Sequence, residues 1–155
     1  MKECKSRAEV AADNFKKGYN CGQAVIVAFA DHYGISKEGV TRMAAAFGGG
    51  IARQRLTCGA VLGMTVLAGL EEGNSQPEDK EKMLNTFNAT QQMYDKFKKQ
   101  YGSVTCGEIL GLKGFNKADG PALHQPIPDE YKGKPCALKV KLAAKIFEEY
   151  LKDKG

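Results

Sequence analysis

The chain has no tryptophan, only two histidines, and no Cys-x-x-Cys pair among its five cysteines. Without closely spaced thiols, a thioredoxin-type redox pair and an ordinary zinc ribbon are both excluded. No Ser/His/Asp set and no carboxylate pair stands out to fill the gap left by scarce histidine. Long apolar runs are missing too. The longest, GAVLGMTVLAGL at 59–70, is too short to span a bilayer and reads as a buried helix. No apolar segment follows the charged start MKECKSRAEV, so no targeting signal is read there. Strand-like alternation of useful length is absent throughout.

Charge is present but unfocused. The net charge of +5 comes largely from lysines such as Lys96, Lys98, Lys99, Lys139, Lys141, Lys145, Lys152 and Lys154. These read as solvated helical faces, without the clustering and stacking aromatics that nucleic acid would require. The expectations are a cytoplasmic protein, no nucleic-acid partner and no membrane insertion. In a reducing compartment cysteines serve chemistry, metal binding or packing more often than structural disulfides.

What is there is helical periodicity. Residues 3–17 carry an apolar stripe of Cys4, Ala8, Ala11, Ala12, Phe15 and Tyr19. Gly18 interrupts, and Asn20 caps a second helix, CGQAVIVAFADHY, closed by Gly34. Ser36 and Gly39 open a third helix that stops before Gly48-Gly49-Gly50. Thr57 caps a fourth, running to Leu70. Pro77, Glu78 and Asp79 start a fifth whose stripe is Met83, Phe87, Thr90, Tyr94, Phe97 and Tyr101, ended by Gly102. A short helix follows Thr105, and the last starts near Cys136. Four of the five prolines fall in 111–135, so that segment reads as a long irregular loop. The predicted fold is a single all-α domain over 1–155, a bundle of five or six helices.

The cysteines repeat one address. Cys21 follows Asn20, Cys58 follows Thr57 and Cys106 follows Thr105, while Cys136 follows Pro135 at the last helix start. Unpaired amides and the helix dipole favour an anion there, which lowers a thiol's pKa. Arg53 and Arg55 stand close in sequence to Cys58, which makes it the predicted attacking thiolate. Cys21, Cys58 and Cys106 each align with an apolar stripe, and several helix starts could bring the four sulfurs together at one end of the bundle. Buried inert cysteine remains the bland alternative, and Cys4 is assigned to it. The intervals between the four are tens of residues long, so the fold must assemble any pairing. Two chemistries stay open: a reversible disulfide, or a four-thiolate site for an iron–sulfur cluster or zinc.

Gly59 and Gly63, one turn apart, point to close approach by another helix or by a cofactor. Phe47-Gly48-Gly49-Gly50 lacks Gly-Lys-[Ser/Thr], so it reads as a helix stop with close backbone packing and not as a phosphate loop. His32 suits the end of the second helix. His124, near Asp119, Asp129 and Glu130, is a candidate proton donor or ligand.

The four cysteines, with Cys58-Gly59-Ala60-Val61-Leu62-Gly63 preceded by Phe47-Gly48-Gly49-Gly50-Ile51, resemble the redox-active proteins of the C_GCAxxG_C_C family. The resemblance covers Cys21 through Cys136, puts the family's four cysteines at Cys21, Cys58, Cys106 and Cys136, and implies a redox class without a reaction. The first expectation is a thiol-redox or electron-transfer protein with an unknown redox partner. The second is a non-enzymatic metal or cluster binder, and the third a helical interaction module. A homodimer is compatible with each.

Overall fold

The computed structural model describes residues 4–111 and 134–155, and its secondary structure is helical. Seven helices occur among them: α1 Arg7–Lys16, α2 Cys21–Val27, α3 Lys37–Met43, α4 Gly59–Glu72, α5 Lys80–Tyr101, α6 Cys106–Ile109 and α7 Lys134–Lys154. The count exceeds the five or six predicted because α3 and α6 are short but hydrogen-bonded. The predicted loop at 111–135, His124 included, falls almost wholly outside the described residues, and α7 already begins at Lys134. No described helix is long and apolar enough to cross a membrane.

The starts are set by capping chemistry. Ser6 and Glu9 form a capping box on α1, and Asn20 and Gln23 form another on α2. Each box satisfies two amides that a helix start leaves unpaired. Asn20 does more, since its Nδ2 donates to the carbonyls of Ala44 and Ala45 at 3.0 and 3.1 Å. One side chain thus ties the start of α2 to the end of α3. Ser36 caps α3 by accepting from the Gly39 amide, as its position predicts.

Helix α2 lies at the centre, buried from Gly22 through Val27. It ends at Val27, short of the predicted Gly34, because the chain passes into tight turns with Phe29 bonded to Ile26 and Ala30 to Val27. Helices α1, α4 and α7 pack around it, and α5 covers α4. The core gathers Phe29, Met64, Leu67, Met93, Phe97 and Phe147, with Phe29 and Phe147 edge-to-face at 5.0 Å. On α5 the buried line is Ala89, Met93 and Phe97, and Phe87 of the predicted stripe stands exposed.

Close approach positions α2 against α4. A Cβ on Gly63 would lie 2.9 Å from the Gly22 carbonyl oxygen and 3.0 Å from Val25 Cβ. On Gly59 it would meet the Phe47 carbonyl at 2.7 Å and Cys21 Cβ at 3.0 Å. The first residues of α2 and α4 therefore sit side by side, which brings the Cys21 and Cys58 segments together.

Candidate functional site

Cys21, Cys58, Cys106 and Cys136 all border one cavity of about 510 Å³. Cys58 and Cys106 come from a backbone clamp. Thr57 and Thr105 pair as an isolated antiparallel bridge, the Cys58 amide donates to Val104 at 2.8 Å, and the Cys106 amide donates to Leu56 at 2.6 Å. Thr57 therefore spends itself in the bridge instead of capping α4. Cys58 occupies the cap position, with no side-chain capping bond. Cys21 opens α2 behind Asn20, and Cys136 lies in the first turn of α7. Cys4 is exposed and does not border the cavity.

An unusual backbone forms one wall. Gly49, Gly50, Ile51, Ala52 and Arg53 all have positive φ, between 50° and 70°, and Arg55 follows at 64°. Left-handed geometry costs a non-glycine residue about 1–2 kcal/mol. Hydrogen bonds hold it: Ala52 to Ala46 at 2.8 Å, Arg55 to Gly49 at 3.1 Å and Leu56 to Gly50 at 3.0 Å. The glycine matters most at position 50, where a Cβ would lie 2.6 Å from Cys106 Cβ. The turn thereby delivers Arg55 inward. Arg55 is 5 % exposed, and its Nη1 donates to Cys106 Sγ at 3.8 Å. The arginine expected beside Cys58 serves Cys106.

The sequence places Lys139 on a solvated helical face, and the structure overturns that. It is 1 % exposed and borders the cavity, one turn along α7 from Cys136. Burying an ammonium costs several kcal/mol unless anions compensate. Burial alone would lower its pKa, but the four cysteines outweigh that and hold it above 10.5. The site keeps a permanent positive charge.

The thiols divide unequally around that charge. The neighbouring Cys21 thiol is the largest influence lowering the Cys136 pKa, from 9.0 to about 6. Burial opposes the shift, while the Lys139 ammonium and the Arg55 charge reinforce it. Cys21 moves the other way, held up by the neighbouring Cys136 and by burial. Cys58 also rises, since burial outweighs Lys139 and the amides of Val61 and Ala60. The predicted helix-start effect operates on Cys58 through the Val61 and Ala60 amides, but burial outweighs it.

The remaining candidates separate cleanly. Gly59 borders the cavity, whereas Gly63 is taken up by packing on α2. His32 lies five residues beyond the end of α2, exposed and edge-on to Tyr33. Among the described residues, no three His, Cys, Asp or Glu side chains are placed to hold one metal ion. Lys139 could have been found in the sequence: Cys136, Lys139, Val140 and Ala143 follow the i, i+3, i+4, i+7 pattern of a buried face.

A family model described as "Putative redox-active protein (C_GCAxxG_C_C)" matches residues 19–150 of the chain. No curated protein and no solved structure matches it.

Proposed function

The chain belongs to the C_GCAxxG_C_C family, and on that premise we propose that it is a thiol–disulfide redox protein whose working pair is Cys136 and Cys21. One observation carries the reading: Cys21 and Cys136 border one cavity beside the buried ammonium of Lys139, a charge that favours a thiolate on Cys136. A thiolate that is populated near neutral pH, yet not so acidic that it loses nucleophilicity, is the effective attacking form. Cys136 attacks a disulfide, its new S–S bond forms, and one sulfur of the substrate leaves as a thiolate. Cys21 then loses its proton and attacks Cys136, so the second half of the substrate departs. The protein gives up two electrons as it gains the Cys21–Cys136 bond, and the reverse sequence reduces it. A reducing compartment such as the cytoplasm suits this cycle, because the dithiol is then the resting form.

One equivalent of diamide should remove two free thiols, and peptide mapping under non-reducing conditions should place the bond between Cys21 and Cys136. In Cys21→Ser, a mixed disulfide with substrate should accumulate on Cys136, whereas Cys136→Ser should trap none. A bond mapped to other cysteines, or an unchanged thiol count, would overturn the assignment.

A further inference from the structure

Three features of the cavity bear on what it admits. Its size, about 510 Å³, falls within the range of small-molecule sites. Its sulfurs are recessed: Cys136 is 8 % exposed, Cys106 4 % and Cys58 1 %, so a disulfide anchored on a protein surface cannot reach them in line. Apart from the Cys136 thiolate, its charged side chains are cations. Lys139 lies inside and Lys16, exposed at the end of α1, stands on the border, and no carboxylate borders the cavity among the described residues. Phe15, Tyr19, Leu110 and Ala137 supply apolar wall between the two lysines.

Resting on the redox reading above, we propose that the substrate is a low-molecular-weight disulfide that carries carboxylates. The lysines attract the anion, the apolar wall holds its carbon chain, and its S–S bond descends to Cys136. The exchange balances within the site. The disulfide accepts two electrons and leaves as one thiol and one thiolate, the Cys21 proton going to the thiol. Cys21 and Cys136 end as the protein disulfide.

The test compares 3,3′-dithiodipropionate (dianion), 2-hydroxyethyl disulfide (neutral), cystamine (dication) and insulin as oxidants of the reduced wild-type protein. Formation of the Cys21–Cys136 bond is followed, and each rate is divided by that reagent's rate with free cysteine. The dianion should exceed the dication by about tenfold or more at low ionic strength, with the difference shrinking in salt. Insulin should be slowest. Lys16→Glu, at an exposed position on the cavity border, should erode the preference for the dianion. A flat order, a preference for cystamine, or insulin matching the small reagents would overturn the substrate class. If diamide still forms the Cys21–Cys136 bond in that case, the redox reading stands alone. Failure of diamide and of every disulfide to form that bond overturns both.

Discussion

Helices α4 and α7 run parallel, and their two ends use similar ingredients for opposite purposes. At the starts, Lys139 lies among thiols at 1 % exposure. At the finishes, Lys154 bridges Glu71 at 3.1 Å and Glu72 at 2.6 Å, with its own side chain 42 % exposed. Tyr33 donates to Glu71 at 2.8 Å and Tyr150 donates to Glu72. Water screens the second cluster, so it is a modest clasp between helices. Burial deprives the first of that screening, so one ammonium redistributes protons among its neighbours. Exposure, not composition, separates the structural lysine from the chemical one.

Removing the buried charge breaks the comparison most sharply. Lys139→Met keeps much of the side-chain length but deletes the ammonium, and the Cys136 pKa should climb back toward 9.0. Alkylation of Cys136 at pH 7 should slow about 2- to 10-fold, as expected when a thiol titrating near 6 rises by one to two pKa units. Thermal unfolding should move little, because Cys136 takes up a proton once the ammonium is gone and no uncompensated buried charge is left. Peptide-resolved alkylation and calorimetry check the two halves.

Helix α4 sharpens the contrast through its glycines. Gly63→Ala, near the sulfur end, forces a methyl into α2 and should destabilise by about 1–3 kcal/mol. Gly69 has open space around its missing Cβ, so Gly69→Ala should stabilise by about 0.5–1 kcal/mol. Urea titrations of the two variants give the signs directly.

The smallest effect belongs to the carboxylate end. A double-mutant cycle on Lys154 and Glu72 should return about 0.2–1 kcal/mol and fall with salt. Its pH dependence has a definite sign. Lys154 and Tyr150 hold Glu72 below its ordinary 4.5. Its contribution is therefore complete above pH 4.5 and is lost as pH falls through the lowered value. Unfolding midpoints between pH 7 and pH 3 should show that loss in the parent and not in Glu72→Gln.

Sequence pattern carried the helices well where a cap or a glycine marks a boundary, as at Asn20, Ser36 and Gly102. It faltered where the chain keeps an apolar pattern after the helix has tightened into turns, as beyond Val27. It also faltered on α5, where the aromatic Phe87 drew the stripe toward itself while small Ala89 holds the buried register. The left-handed turn had no signature after its glycines, because Ile51, Ala52 and Arg53 ordinarily avoid positive φ. The four cysteines were legible as a set. Their ranking was not, since it depends on burial and on which sulfurs surround Lys139, and the spacing of its helix marks a buried face without saying what lies opposite.

The most direct measurement is the pH dependence of Cys136 alkylation in the reduced parent protein, followed peptide by peptide. The account predicts a midpoint near 6 for Cys136, with Cys21 and Cys58 reacting only above pH 9. A Cys136 midpoint near 9.0, or Cys58 titrating first, would contradict it.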